Sequence, residues 1–327
     1  MKRPTLAGIR EAQARLRPYL PETPLMRSDI LSRTLDAEVW LKNETITPIA
    51  SFKFRGALNA LIKATSKGTS GAVTSSTGNH GQGVAYAARV LDLRADIFLP
   101  SPANSVKATM IKTFGGTLHE IGDDIDEAKD AARQFTDDHG GLFLDDGEDV
   151  DIMEGAGTVG LEVAETLSDV DLLVIPLGGG NLTAGCATAL KAIQPHARVV
   201  SVQAKGSPAV THSFHARKIV EHPIDTLADG LVTRVPPTLA LNVLWDLLDD
   251  AWLASDEQLL AGVHTLAECA HILVEPAGAA ALAGIFAHRE DISGKRIVLI
   301  LTGANITMAQ LEQAMATPPL FSLDRLP

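Results

Sequence analysis

Four short stretches of the chain carry residue types that could do chemistry. In Ala50-Ser51-Phe52-Lys53-Phe54-Arg55, a lysine stands between two phenylalanines at the start of a helical pattern. A buried ammonium has to be paired or neutralised, and a lysine that gives up its proton can attack a carbonyl as the free amine. The same pattern also suits a lysine that enters a helix and points to water, and the spacing alone does not choose. In Ser75-Ser76-Thr77-Gly78-Asn79-His80-Gly81-Gln82-Gly83, hydroxyls, an amide and glycines follow a strand-like run. Such a turn makes a nest of backbone N–H groups for a small anion. In Gly178-Gly179-Gly180-Asn181-Leu182, glycines between a strand and a helix let the backbone approach a phosphate. A dinucleotide fold would need a third glycine where Thr183 stands, and an acid roughly 20 residues on, where Lys205 stands. A monophosphate cup fits better. The fourth stretch, Leu299-Ile300-Leu301-Thr302-Gly303-Ala304-Asn305, puts a hydroxyl and an amide at the end of a buried strand; alone it is only a strand end with a turn.

Other chemistries find little support. His212, His215 and His222 cluster beside an Arg/Lys-rich segment without a carboxylate or cysteine to complete a ligand set, so no metal site is expected. Neither a Gly-x-Ser-x-Gly elbow nor a His-Glu-x-x-His helix occurs.

The elements that must position these residues alternate, as in an α/β protein with largely parallel sheets. Strands are expected at Glu38–Lys42, Gly71–Ser75, Ala95–Leu99, Leu172–Pro176, Arg198–Gln203 and Arg296–Leu301. Helices are expected at Phe54–Thr65, Gly81–Leu91, Ser105–Phe114, Asp124–His139, Thr158–Thr166 and Ala184–Ile193. The acid-rich run Leu144–Gly157 reads as a solvated crossing between a small and a larger domain; its spacing matches no calcium loop.

Composition narrows the class. The 327 residues suffice for about two domains, and 46% hydrophobic with 21% charged residues is a globular balance. A net charge of −12 and 4% aromatics argue against a nucleic-acid partner. No apolar run reaches membrane-spanning length, and charges interrupt the amino-terminal stretch where a signal peptide needs an apolar core. With two cysteines, Cys186 and Cys269, a disulfide framework is not expected. A cytoplasmic enzyme is the resulting expectation.

Taken in order, the four motifs resemble the fold-type II family of pyridoxal-phosphate enzymes, and within it the serine/threonine dehydratases and serine racemases. The resemblance runs from Thr23-Pro24-Leu25 to Asn305 and includes Ala228-Asp229-Gly230 and Val274-Glu275-Pro276-Ala277-Gly278. Asn79-His80-Gly81 sets this branch apart from cysteine synthase and threonine synthase relatives, which tend to carry Asn-Thr. It implies two open-sheet α/β domains of the tryptophan synthase β-like architecture, a large one from 1–64 and 149–327 and a small one from 65–148. The implied cofactor is pyridoxal 5'-phosphate, bound to Lys53 as a Schiff base with Phe52 against its ring. Gly178, Gly179, Gly180, Asn181 and Leu182 would hold the phosphate, Thr302 the pyridine nitrogen, and Asn79 the phenolic oxygen. Ser76, Thr77, Asn79 and His80 would grip the substrate carboxylate.

The implied reaction is dehydration of a β-hydroxy amino acid such as L-threonine or L-serine to a 2-oxo acid and ammonia, by a homodimer. Alternatives are a serine or aspartate racemase, or a dehydratase for hydroxyaspartate or a hydroxyectoine-derived intermediate, with Arg234 or Lys205 pairing an extra carboxylate. A cofactor-free ligand-binding protein of the same fold is the alternative from another class. Racemisation needs an acid/base opposite Lys53, which makes Thr77 the second catalytic candidate; the racemases carry serine there. Asn181 replaces the family's fourth loop glycine, and Glu154-Gly155-Ala156-Gly157 replaces its Ala-Gly-Gln-Gly. The acidic ligands of the family's cation site are missing around Gln203–Ala209. With so few residues after Asn305, a carboxy-terminal regulatory domain is not expected, nor is end-product control.

Overall fold

The computed structural model describes residues 2–76, 78–101, 105–122 and 125–322, without the side chains of residues 105–107, 126 and 291. Ten strands form two sheets. They are β1 (Leu25–Arg27), β2 (Glu38–Asn43), β3 (Gly71–Ser75), β4 (Arg94–Leu99), β5 (Thr117–Glu120), β6 (Leu142–Phe143), β7 (Leu172–Pro176), β8 (Arg198–Ala204), β9 (Asp250–Ala254) and β10 (Arg296–Leu301). The larger sheet runs β1-β2-β10-β7-β8-β9 and the smaller β5-β4-β3-β6. Every pairing is parallel except that of β1 with β2. Helices cover the sheets, so strands such as Ile297–Leu301 are buried on both faces and read as continuous apolar runs. Each fully buried leucine or isoleucine there contributes about 1.5–3 kcal/mol.

All six expected strands form. The four additional ones are short, half-exposed or polar: β5 is Thr-Leu-His-Glu, and β1 and β6 hold three and two residues. All four, β1, β5, β6 and β9, lie at sheet edges, where little burial is needed and little pattern is left in the sequence.

The run Leu144–Gly157 departs from expectation. From Val150 it is helical, in a helix reaching Thr166, and Ile152–Gly157 are buried rather than solvated. Asp149 caps that helix, accepting a hydrogen bond from Asp151 N at 2.7 Å. Its glycines, costly in a helix interior, admit close neighbours. A Cβ on Gly155 would lie 2.5 Å from the Arg55 carbonyl oxygen, and one on the facing Gly185 would lie 2.3 Å from that of Met153. The helix Lys53–Thr65 packs Phe54, Ala57, Leu58 and Leu61 into one core with Ala72, Ala95 and Ile97 of the smaller sheet.

At the interface of these helices lies a charged cluster. Arg55 donates to Glu44 at 2.8 and 2.9 Å, to Glu162 at 2.6 and 3.0 Å, to Thr158 at 2.9 Å and to Thr23 at 3.0 Å. Lys42 pairs with Glu162 and donates to the Thr23 carbonyl at 2.7 Å. All four charged groups are buried. Burial works against the Arg55 charge, yet Glu44 and Glu162 outweigh it and hold the guanidinium above its ordinary value. Burial likewise works against the Glu162 charge, but Arg55 and Lys42 hold it below the usual carboxylate range.

Candidate active site

In parallel sheets the loops after the strands share one side, which is where ligands bind. Loops after β2, β3, β6, β7 and β10 meet around a cavity of about 250 Å³. Its walls include Phe52, Lys53, Ser76, Asn79, His80, Gly178, Gly179, Gly180, Asn181, Leu182 and Thr302, so eleven residues singled out in the sequence come together. Thr77 lies outside the described residues.

Backbone ties hold the pieces in place. Phe52 N donates to the Thr302 carbonyl at 3.1 Å and Ala304 N to that of Ala50 at 2.9 Å, with a bridge between Ser51 and Gly303. Lys53 therefore starts its helix beside the end of β10. A cation at a helix N-terminus opposes the helix dipole, and Lys53 is paired with Asp146. Burial would push the Asp146 carboxyl up; Lys53, His80 and a 2.7 Å hydrogen bond from Asn181 instead hold it well below the usual carboxylate range.

Asn79 opens the helix Asn79–Val90 and is gripped at both ends of its amide. It donates to Glu275 Oε1 at 2.7 Å and accepts from Asn305 Nδ2 at 2.8 Å, which leaves one amide hydrogen for a ligand. The His80 ring is buried, and burial lowers its pKa, so it is neutral at pH 7. Its Nε2 lies 3.4 Å from the Leu144 carbonyl oxygen; with the proton there, Nδ1 is an acceptor.

The glycine loop is built for an anion. Gly180 has φ +101°, and a Cβ on Gly178 would sit 2.8 Å from the Gly230 carbonyl oxygen. The helix Asn181–Ile193 follows directly, and its first N–H groups have no partner within the helix. Buried polar atoms of three wall residues, Ser75 Oγ, His80 Nδ1 and Asn181 Oδ1, lack a hydrogen-bond partner. A lysine, an anion cradle and unmet polar atoms around one cavity fit a phosphate-bearing aldehyde such as pyridoxal 5'-phosphate.

Sequence reading missed Asp146, hidden in an acid-rich run; the signal available was its place just after a short strand. Glu275 and Asn305 stood in noted motifs, but their grip on Asn79 was not foreseen. Among the described residues, the charged side chains of the cavity wall are Lys53, Asp146, Asp229 and Glu275. Arg234 and Lys205, expected to pair an extra substrate carboxylate, are not among them. Among the described residues, no cluster of three or more His, Cys, Asp or Glu side chains is placed to hold a metal ion, and no helix is long and apolar enough to cross a membrane.

Comparison with known proteins places the chain among relatives of the same fold. The chain is 36% identical over 301 residues to an L-threonine ammonia-lyase of Geobacter sulfurreducens, covering 91% of this chain and 75% of that protein. It superimposes on the structure of maize serine racemase with a TM-score of 0.90 and 30% identity, covering 96% of this chain and 98% of that one. For the processed form of threonine deaminase isoform 2 from Solanum lycopersicum the TM-score is 0.89 at 29% identity, covering 95% and 92%. With residues 16–303 matching the family described as "Pyridoxal-phosphate dependent enzyme", this chain belongs to that family.

Proposed function

We propose that the protein is an ammonia-lyase that dehydrates a small β-hydroxy amino acid, with L-threonine and L-serine the first candidates, to a 2-oxo acid and ammonia. The observation that carries this reading is the convergence of Lys53, the glycine cradle and Ser76, Asn79 and His80 on one cavity. The ammonia-lyase relative at 36% identity supports the reaction class. A wall whose one cation among the described residues is Lys53 supports a substrate side chain without a second carboxylate.

Bound pyridoxal phosphate supplies the conjugated ring that takes up the electron pair left at the substrate α-carbon. The chain's own residues do the rest. Lys53 would tether the cofactor and would take the substrate's α-proton on its nitrogen. Gly178, Gly179, Gly180, Asn181 and Leu182 hold the phosphate, and Phe52 supplies an apolar wall. Ser76 and Asn79 bind the substrate carboxylate and orient the bond to be broken. Neutral His80 offers Nδ1 to a donor. Thr302 gives the ring nitrogen a hydroxyl partner, which does not protonate it as an aspartic acid would, and this favours elimination over transamination.

The test is a panel of β-hydroxy amino acids, read for ammonia and 2-oxo acid. Release from L-threonine or L-serine is expected, and its absence across the panel refutes the assignment. Likeness to maize serine racemase favours one second reading, racemisation; chiral chromatography during turnover separates the two. A domain division at 1–64 with 149–327 and 65–148, a cytoplasmic location and a homodimer complete the proposal. The separate sheets support the first, free buried Cys186 and Cys269 the second, and exposed Met26 and Ile46 the third.

A further inference from the structure

Two adjacent acids, Asp145 and Asp146, follow β6 and are used in opposite ways. Asp145 accepts from Lys129 at 2.8 Å and Arg133 at 2.9 Å, on the helix Ile125–His139. Asp146 is on the cavity wall, where Oδ2 accepts from Lys53 Nζ and Oδ1 from Asn181 Nδ2 at 2.7 Å. The loop carrying it is clamped. Leu144 N donates to the Val73 carbonyl at 2.8 Å, and Thr74 Oγ1 donates to that of Leu144 at 2.7 Å. Gly147, at φ +113°, leaves no room for a side chain, since a Cβ would meet the Pro237 ring at 2.3 Å. The carboxylate is thus aimed by a rigid loop and held at its second oxygen by Asn181. It remains ionised at neutral pH for the reasons given above.

A base held in register by a third group recurs wherever one side chain must collect a proton at a set angle. We propose that Asp146 is the orienting counter-ion of Lys53, fixing the direction of its amine and stabilising the ammonium that forms when it takes the substrate's α-proton. In that step the Cα–H bond breaks, an N–H bond forms on Lys53, and the electron pair stays with the substrate. Asp146 gains no proton. It is a positioning residue, acting through Lys53, and this inference rests on the reading of Lys53 as the base.

The experiment follows α-hydrogen exchange of L-alanine in D2O by proton NMR, using holoenzyme whose visible absorbance reports cofactor loading. Alanine has no leaving group, so exchange reads proton transfer alone. Asp146→Asn, which keeps the volume and removes the charge, is expected to slow exchange about 100-fold. Alanine affinity, read from its perturbation of the visible band, should change less than about threefold. Asp146→Glu should recover at least about a tenth of the wild-type rate while remaining below it. Exchange at the wild-type rate in loaded Asp146→Asn overturns the proposal, as does a loss of affinity as large as the loss of rate. If Asp146→Asn does not fold or load, Asp146→Glu decides: a full wild-type rate overturns the proposal, and a reduced rate at unchanged affinity supports it. A wild type that loads the cofactor yet exchanges nothing refutes Lys53 as the base, a result distinct from either.

Discussion

Replacing Arg55 by methionine tests whether the buried charges beneath the active site act as one unit. The wild-type cluster holds two cations, Lys42 and Arg55, and two carboxylates, Glu44 and Glu162, all buried. Arg55→Met leaves Glu162 its lysine but strips Glu44 of the cation that contacts both its oxygens, at 2.8 and 2.9 Å. The site then carries one uncompensated negative charge, to which the Thr23 hydroxyl still donates. Removing one member of a buried pair costs about 3–5 kcal/mol, because the other charge is stranded. Glu44→Gln in the Arg55→Met background restores neutrality, and the amide keeps Thr23 as a partner. That double variant should therefore be more stable than Arg55→Met by about 2 kcal/mol or more. Urea unfolding at pH 7 is the assay, with the four proteins of the cycle compared at equal cofactor content. An Arg55→Met protein within about 1 kcal/mol of wild type, or a double variant less stable than it, refutes the reasoning.

Three further outcomes are expected. Lys53→Ala should abolish both the visible absorbance of the bound cofactor and turnover, since one amine serves as tether and base; full activity in that variant refutes the mechanism. Gly185→Ala drives a methyl group into the Met153 and Gly157 backbone and should cost about 3 kcal/mol or more, read as a lowered Tm; an unchanged Tm contradicts the helix contact. Stability should fall as pH drops below 4.5, the ordinary value of glutamate. Glu162 and Asp146 are held below their ordinary values in the folded chain, so their contribution is complete above those values and is lost as pH falls toward the depressed ones. Burial raises Asp149 and Glu154, which offsets part of the loss; stability that rises steadily from pH 5 to pH 3 contradicts this balance.

Chemistry concentrated in short runs was legible from residue order. Phe52-Lys53, Ser76 with Asn79-His80, Gly178–Leu182 and Thr302 each follow a strand, and parallel strands bring such ends together. What escaped reading depends on distant partners. Asp146 looks like its acidic neighbours until Lys53 and Asn181 are placed beside it. Lys42, Glu44, Arg55 and Glu162 have the composition of a solvated surface, and nothing local marks them as buried. The helix from Val150 was concealed by its glycines, which lower helix propensity and are explained only by the helices they touch.

The order of strands in the larger sheet sets a schedule for the growing chain. Leu299 of β10 stands in register with Leu41 of β2 on one side and Val174 of β7 on the other, so the strand at the middle is the last one synthesised. The smaller sheet, by contrast, is complete once Phe143 has emerged. Until Arg296–Leu301 arrives, β2 and β7 lack their shared neighbour, and pairing across so long a stretch carries the entropic cost that makes non-local contacts slow. The same arrival brings Thr302 to the Phe52 backbone and so seats Lys53. The cavity is therefore complete only once β10 has paired, and a cofactor that binds the finished site draws the equilibrium toward completed molecules.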